Sequence, residues 1–523
     1  MTTAAPFKIT YTSANADMAE FHRLFEEGLA LARSRMGQEH PLYIDGKAVR
    51  SPSEPILDSS PIDASLLLGR FASATPEQVG LAVAAARAAQ KAWASRPWQE
   101  RVKVLRRAAE VIRERKFLIA AVMSLEVGKS RLEAMGDAEE SADLIDYYSH
   151  QMEENNGYAR PMGKLQPNEK TASVLRPYGV FACIAPFNFP LALSTGMSSA
   201  ALLAGNAVVY KPAQDTPWTG LLLYECYRDA GLPPGVFNYL TGRGSAIGDS
   251  LWKHPGVDGI VFTGSKEVGM RMIKEFSQDW PKPALMELGG KNPAIVTDSA
   301  DLEMAAEGVM RSAFGLQGQK CSACSRVYVD KRAAEPFLKK LLDKTSAMKI
   351  GDPTQRDVFF GPVINARAAK TFEEAVESAG KGGRLLCGGR RLSAGAFAKG
   401  HFVEPTIAEL PLDHELFRRE LFVPFLSVGI VGSLAEAISE SNKAEYGLTA
   451  GIFSKKREEI EKFFDEIQAG VCYANRRSGA TTGAWPGVQA FCGWKGSGST
   501  GKGGCGPYYV AQFMREQSRT IME

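Results

Sequence analysis

The chain has 523 residues, of which 45% are hydrophobic and 23% are charged, and its formal net charge is +3. This length exceeds what one hydrophobic core supports, so two or three domains are expected. The near-neutral balance gives no reason to expect nucleic acid or a membrane surface as a partner, and no stretch is apolar for long enough to span a bilayer. The composition is typical of a soluble, globular, loop-rich α/β protein.

The eight cysteines are scattered and lack the paired spacing of zinc ligands, so no metal site is expected. The first residues contain no apolar run of signal-peptide length, which predicts a cytoplasmic protein with reduced thiols. Cys321 and Cys324 form a Cys-x-x-Cys pair. A redox pair stays open for this motif, although two unpaired thiols on one loop are the commoner outcome.

The N-terminal third is dominated by helical patterns. Apolar residues recur at helical spacing in one early segment and in three Ala-rich stretches, which predicts helices over 18–32, 76–94, 99–114 and 131–148. Thr75 and Pro76 suit the N-cap and the first position of the second helix. The polar, partly alternating segment 164–176 is compatible with a hairpin arm that pairs with a second subunit, and equally with an ordinary surface hairpin.

From Gly179 the pattern changes to short apolar strands that alternate with helices. The strands are predicted over 180–185, 207–210, 236–240 and 259–263. Such alternation indicates a parallel, doubly wound sheet, in which nucleotides bind at the carboxyl ends of the strands. A second α/β run follows from about residue 293 to 470, and residues 509–513 are predicted to form a last strand.

The loop 315–326 presents a cysteine, Cys321, among glycines and small polar residues. A thiolate is the strongest side-chain nucleophile, and small neighbours such as Gly318 and Ser322 let a substrate approach it. Taken alone, an inert buried thiol is the commoner state of such a residue. Motifs in other segments of the chain favour a reactive thiol at Cys321 instead.

Polar residues follow three of the predicted strands, and further motifs lie between and within the two α/β runs. These segments are 185–190, 210–213, 262–269, 286–293 and 420–422. Together with the Cys321 loop, they resemble the aldehyde dehydrogenase superfamily in order and spacing, from Tyr43 to the tail. The Glu-Leu-Gly-Gly-Lys motif at Glu287 and the Gly-Gln-Lys-Cys motif at Cys321 carry most of this likeness.

The resemblance implies an NAD(P)-dependent oxidoreductase that hydrolyses its acyl intermediate. Cys321 is then the nucleophile that adds to the aldehyde carbon. The carboxamide of Asn188 and the backbone N–H of Cys321 stabilise the resulting oxyanion. Glu287 is the general base that activates water against the thioester, which argues against the coenzyme-A-acylating branch.

The resemblance also implies where the cofactor binds. Lys211 is expected on the adenosine ribose, Ser265 on a pyrophosphate oxygen at a helix N-terminus, Glu420 on the nicotinamide ribose and Phe422 beside the ring. Many NAD-preferring members have Glu at the position of Gln214. Gln214 lacks the charge that repels a 2′-phosphate, so NAD is expected as cofactor and NADP is a second possibility.

Within the superfamily, the details resemble the branch that oxidises L-glutamate gamma-semialdehyde in proline catabolism. The residues expected to bind this substrate are Ser322, Gly483 and Ala484 at its α-carboxylate, Phe189 and Phe491 around its stem, and Glu140 near its amine. The loop 475–489 is longer than its counterpart in that branch. Another aldehyde, such as succinate semialdehyde or an aromatic aldehyde, and a non-catalytic scaffold remain the alternatives.

The implied fold is α/β, with two doubly wound α/β domains and a β-hairpin oligomerisation arm. The NAD-binding domain is expected from residues 1–158 and 178–288, the catalytic domain from 289–495, and the arm from 159–177 and 496–523. If the arm pairs with another subunit, the protein is at least a homodimer.

Overall fold

The computed structural model describes Lys8, residues 18–478 and residues 485–523. The α-helices are α1 (Met18–Ser34), α2 (Pro76–Ser95), α3 (Trp98–Val127), α4 (Arg131–Glu154), α5 (Ala192–Leu203), α6 (Pro217–Asp229), α7 (Asp249–Trp252), α8 (Lys266–Phe276), α9 (Leu302–Phe314), α10 (Ala334–Ser346), α11 (Ala366–Gly382), α12 (Leu434–Asn442) and α13 (Arg457–Glu466).

The strands are β1 (Gln38–His40), β2 (Leu42–Ile44), β3 (Lys47–Val49), β4 (Ile56–Ser59), β5 (Leu67–Phe71), β6 (Ala159–Pro161), β7 (Glu169–Pro177), β8 (Val180–Ile184), β9 (Ala207–Lys211), β10 (Phe237–Tyr239), β11 (Gly259–Gly264), β12 (Ala284–Leu288), β13 (Asn292–Val296), β14 (Cys324–Asp330), β15 (Arg384–Cys387), β16 (Arg391–Leu392), β17 (Phe402–Val403), β18 (Thr406–Glu409), β19 (Phe425–Val431), β20 (Tyr446–Gly447), β21 (Thr449–Phe453), β22 (Val471–Ala474), β23 (Trp494–Lys495) and β24 (Met514–Met522).

Two large sheets organise the described chain. The first has the strand order β12-β11-β8-β9-β10-β2-β3, and its five strands from β12 to β10 run parallel. The second has the order β15-β18-β19-β14-β13-β21-β22 and is parallel except for its edge strand β15. Each sheet carries helices packed against it, so the predicted fold class of two doubly wound units is confirmed. The exact domain boundaries stay a prediction.

The two sheets are joined by the short link between β12 and β13. The link contains Gly289 and Gly290, and a side chain at either position would collide with a neighbour. A Cβ atom on Gly289 would lie 2.1 Å from Glu420 Oε2, and one on Gly290 would lie 2.4 Å from the carbonyl oxygen of Cys321. Only glycine lets these segments approach so closely, so the link draws the Cys321 loop against the carboxyl edge of the first sheet.

A third, antiparallel sheet has the order β24-β7-β6. β24 pairs with β7 over nine residue pairs, from Met514–Pro177 to Met522–Glu169, so the hairpin predicted at 159–177 is tied to the end of the chain. Most of β24 is exposed, including the apolar side chains of Ile521 and Met522. This three-stranded sheet is the predicted arm, and its role in oligomerisation stays a prediction.

Two expected elements differ in the structure. Residues 510–513 form a short helical turn and not a strand, because Tyr509, Val510 and Phe513 all turn into the core, where Phe513 contacts Phe181. The strand begins only at Met514. The helix expected over 99–114 continues to Val127, since its last turns are buried on all sides and show no amphipathic period.

Candidate active site

The Cys321 loop has an unusual backbone that its surroundings hold in place. Leu316 and Gln317 both adopt positive φ, at 48° and 54°, a conformation that costs energy for residues with a side chain. Asn292, at the start of β13, donates from Nδ2 to the carbonyl oxygens of Cys321 at 2.7 Å and of Ala323 at 2.9 Å. Asn292 therefore fixes the backbone on both sides of Ser322.

Cys321 opens into a cavity whose wall is lined by sixteen residues, most of them apolar. Six of the predicted site residues line it together: Cys321, Ser322, Glu287, Phe189, Phe491 and Glu140. They come from the end of β12, from the loop after β8, from α4 and from two further loops that are distant in sequence. The rest of the lining is mostly apolar, so a bound aldehyde would be removed from water on most sides.

Glu287 lies near the end of β12, where Thr263 of β11 is its neighbour. Burial raises the pKa of its carboxyl well above the usual value. Among the described residues, its Oε2 atom has no hydrogen-bond partner. An unpaired carboxyl in a dry cavity suits a group that must accept a proton from a bound water.

Cys321 lies in the cavity wall, and the residue as a whole is partly exposed. Burial is the largest cause that raises the pKa of its thiol to about 12, and the carboxylates of Glu287 and Glu420 add to the rise. The backbone N–H groups of Ser322 and Cys321 oppose this rise. The free protein therefore holds the nucleophile as a thiol at neutral pH. Ionisation of Cys321 and of Glu287 is opposed by the same environment.

Asn188 is 2% exposed and lies in the loop after β8, between two aromatic residues. Phe187 contacts Phe422 with the ring centroids 5.7 Å apart at an angle of 76°, and Phe189 lines the cavity. Asn188 itself is not among the residues that line the cavity. Its role as oxyanion donor stays a prediction.

The expected cofactor residues lie along the carboxyl edge of the first sheet. Lys211 ends β9, and burial lowers the pKa of its ammonium group to about 8, while Asp215 opposes this change. Ser265 follows β11 and is the N-cap of α8, where it accepts from the N–H of Val268 at 3.4 Å. Gln214 is exposed in the turn before α6.

Glu420 and Phe422 lie on the side of the second sheet. The N–H of Gly290 donates to Glu420 Oε1 at 2.8 Å. Burial raises the pKa of Glu420 to about 7, although this hydrogen bond and the charge of Lys291 oppose the shift. Phe422 has a positive φ of 59°, which turns its ring towards Phe187.

Two predicted substrate residues, Gly483 and Ala484, lie outside the described residues. Other cavity residues were missed by the sequence reasoning, among them Thr263, Tyr148 and Tyr509. Tyr148 is fully buried, and its hydroxyl oxygen accepts from the N–H of Cys505 at 3.1 Å. In the sequence, Thr263 and Tyr509 look like ordinary core positions of strands, and Tyr148 looks like a core position of a helix. Tyr148 and Tyr509 reach the cavity only because α4 packs against the tail.

Among the described helices, none combines the length and the apolar character needed to cross a bilayer.

Comparisons with known proteins cover nearly the whole chain. The model of the aldehyde dehydrogenase family matches residues 49–518. The chain is 36% identical to a 1-pyrroline-5-carboxylate dehydrogenase of Geobacillus sp. (strain WCH70) over 96% of both chains, and 36% identical to 1-pyrroline-5-carboxylate dehydrogenase 2 of Bacillus subtilis (strain 168) over 95% of this chain and 96% of the relative.

A solved structure of 1-pyrroline-5-carboxylate dehydrogenase from Thermus with bound NAD superimposes with a TM-score of 0.93, at 35% identity and with complete coverage of both chains. Family model, relatives and structure thus extend over nearly the whole sequence. This chain belongs to the aldehyde dehydrogenase family.

Proposed function

We propose that this chain oxidises L-glutamate gamma-semialdehyde, the open form of 1-pyrroline-5-carboxylate, to L-glutamate in proline catabolism, with NAD as the hydride acceptor. The observation that carries the proposal is the single cavity shared by Cys321, Glu287, Phe189, Phe491 and Glu140. It combines a nucleophile, a base, two aromatic walls and a carboxylate for an amine. The names of the relatives support the same substrate.

The reaction begins when the sulfur of Cys321 adds to the aldehyde carbon. The thiol proton leaves to water through the partly exposed side of the residue. The aldehyde oxygen becomes an oxyanion, for which we assign the carboxamide of Asn188 and the backbone N–H of Cys321 as donors. Preorganised donors of this kind are typically worth about a hundredfold or more in rate.

The residues along the sheet edge fit a nicotinamide dinucleotide. Lys211 presents a buried ammonium group at the end of β9, and Ser265 with the first N–H groups of α8 suits a pyrophosphate. Glu420 presents a carboxyl beside Phe422, at the link between the sheets. NAD held by these residues would supply the hydride acceptor for the carbon attached to Cys321, and the oxidised carbon would then be a thioester of Cys321.

Hydrolysis of the thioester is the task of Glu287. Its carboxylate takes a proton from water, and the resulting hydroxide attacks the acyl carbon and releases L-glutamate and the thiolate of Cys321. The raised pKa and the unpaired Oε2 atom of Glu287 support this role. A carboxylate that is poorly solvated is a stronger base than one in water.

Residues of the cavity wall hold the substrate during these steps. Its methylene stem packs between Phe189 and Phe491, its amine faces Glu140, and Ser322 donates to its α-carboxylate. Gly483 and Ala484 are proposed as further backbone donors for that carboxylate, on the family resemblance alone.

The decisive experiment is a steady-state comparison of L-glutamate gamma-semialdehyde, succinate semialdehyde, propanal and benzaldehyde, all with NAD. We expect kcat/KM for the amino-acid aldehyde to exceed that for propanal by at least about a hundredfold, which is about 2.7 kcal/mol of additional transition-state binding. Flat or aromatic-preferring rates would reject the substrate and keep the dehydrogenase. No activity on any of the four would favour a scaffold protein.

The cofactor preference depends on Gln214. We expect Gln214→Glu to raise the ratio of kcat/KM for NAD over NADP by about five- to tenfold, since an added carboxylate repels the 2′-phosphate in this exposed turn by roughly 1 kcal/mol. Kinetics with both cofactors measure the ratio. Gln214→Ala removes the amide without adding charge and serves as the control. An equal change in both variants would show that charge is not the cause.

We also propose that the protein works in the cytoplasm as a homodimer or a larger homo-oligomer. All eight cysteines are free, which suits a reducing compartment. The exposed edge of β24 offers unpaired backbone groups to a second copy of the chain. Sedimentation that shows a single chain at working concentration would exclude the oligomer.

A further inference from the structure

Behind the aromatic wall of the cavity lies a cluster of four buried charges. Lys129 and Asp137 are both fully buried, and Lys129 Nζ lies 2.6 Å from Asp137 Oδ2. Lys320, the residue before the nucleophile, is 2% exposed, and its Nζ lies 2.8 Å from Glu133 Oε1. Lys129 also interacts with Glu133 and with Lys320. Burying ions is costly even when they are paired, and well-packed apolar residues often replace such pairs without loss of stability.

Both ammonium groups face the same ring. Lys129 Nζ lies 3.9 Å from the ring centroid of Phe189, and Lys320 Nζ lies 5.6 Å from it. Cation–π attraction is strongest where water is excluded, as it is around Lys129. The ring of Phe189 also lines the cavity that contains Cys321. One side chain thus connects the charge cluster to the substrate site.

The same ion pair reaches a second part of the cavity wall. Asp137 Oδ1 accepts from the N–H of Ala192 at 2.7 Å, and Ala192 is the first residue of α5. Ala192 lines the cavity, as do Leu193 and Gly196 in the first turns of the same helix. Asp137 therefore holds the ammonium of Lys129 with one oxygen and the start of α5 with the other.

We propose that Lys129 is a positioning residue for the substrate: held by Asp137, its buried ammonium group fixes the ring of Phe189 at the angle against which the methylene stem of the aldehyde packs. Lys320 supports the same ring from the nucleophile loop. Lys129 touches neither the substrate nor the cofactor and acts through Phe189. This inference rests on the proposed function, because it concerns an aldehyde with a stem long enough to reach Phe189.

The test is Lys129→Met, which keeps the length of the side chain and removes its charge. We expect KM for L-glutamate gamma-semialdehyde to rise at least about tenfold, equivalent to about 1.4 kcal/mol, with kcat changed less than about threefold. Acetaldehyde has a single methyl group in place of the two methylenes of the stem, so its KM should change less than about twofold. Equal changes for the two aldehydes would overturn the proposal.

Lys116→Met is the matched control. Lys116 is 12% exposed in its side chain and pairs with Glu139 of α4 at 2.7 Å, so the substitution also breaks a largely buried ion pair. Neither Lys116 nor Glu139 lines the cavity. If Lys129 had only a structural role, both variants would lower the melting temperature and reduce kcat/KM for both aldehydes alike. We expect the split in KM only for Lys129→Met.

A double-mutant cycle with Phe189→Leu identifies the route of the effect. If Lys129 acts through the ring, Lys129→Met raises KM in the wild-type background and leaves it within about twofold in the Phe189→Leu background. Effects that multiply would overturn the proposal.

Should Lys129→Met fail to fold, fluorinated phenylalanines at position 189 weaken the negative face of the ring without changing its shape, and KM should rise with each fluorine. The four aldehydes are first compared with the wild-type protein. That comparison tests the proposed substrate, and the Lys129 variants then test the positioning role separately.

Discussion

Cys321→Ala is expected to abolish dehydrogenase activity with every aldehyde of the panel. The variant lacks the sulfur atom to which the substrate carbon bonds in the proposed mechanism. A water molecule in the place of that sulfur cannot form a thioester with the substrate. We expect kcat/KM to fall by about ten-thousandfold or more, a loss of at least about 5.4 kcal/mol of transition-state stabilisation. NADH formation at saturating NAD measures the loss.

Cys324→Ala is the internal control for this result. Cys324 lies three residues away on the same Cys-x-x-Cys motif, but its thiol is 2% exposed and donates to the carbonyl oxygen of Arg326 at 3.4 Å. We expect its activity to stay within about threefold of wild type, because removing a small buried group costs stability more than chemistry. Full activity in Cys321→Ala would reject the mechanism outright. Loss in both variants would point to a redox pair.

The position of the site was accessible from the sequence because simple topology governs it. Asn188, Lys211, Ser265 and Glu287 each occur at or just after the end of a parallel strand, and parallel strands end at one edge of a sheet. Cys321 was predicted as the nucleophile because its motif resembles that of the aldehyde dehydrogenase superfamily. The confirmed fold class follows from the same alternation of strand and helix.

What the sequence did not reveal depends on contacts between distant segments. Polar residues neighbour Lys129 and Lys320 in the sequence, and lysine side chains in such segments are usually exposed to solvent. Both lysines are buried because the start of α4 packs against the Cys321 loop, where Glu133 pairs with Lys320, 187 positions further along the chain. The turn at 510–513 was mistaken for a strand for a similar reason: the aromatic residues there fill a core formed by α4 and β8.

In the proposed mechanism, Cys321 and Glu287 serve two different steps in one cavity. The nucleophile of Cys321 is held as a neutral thiol, because burial and the carboxylates of Glu287 and Glu420 raise its pKa to about 12, although the backbone N–H groups of Ser322 and Cys321 oppose the shift. The carboxyl of Glu287 is poorly solvated and unpaired among the described residues, which makes it a stronger base. Acylation and hydrolysis can therefore be separated by substitution, because each depends mainly on one of the two groups.

Glu287→Gln should trap the enzyme after hydride transfer. The amide keeps the shape of the carboxyl but does not accept a proton, so the thioester forms and then hydrolyses slowly. We expect a rapid burst of about one NADH per active site, followed by a steady-state kcat that is about a hundred- to a thousandfold below wild type. Stopped-flow absorbance of NADH records both phases. Glu140→Gln, on the same cavity wall, should raise KM for the amino-acid aldehyde without a burst.

The pH dependence provides an independent check of the same assignment. Glu287 must be ionised to activate water, and burial raises its pKa well above 4.5, so wild-type kcat should be lost as the pH falls through that raised pKa, at a higher pH than for an exposed glutamate. In Glu287→Gln this dependence of hydrolysis should disappear. A variant without a burst would mean that Glu287 also removes the thiol proton before hydride transfer. If Glu287→Gln leaves kcat and its pH profile unchanged, the general base is another residue. In the proposed mechanism, the burial of Glu287 is connected with the rate of hydrolysis only through this role as base.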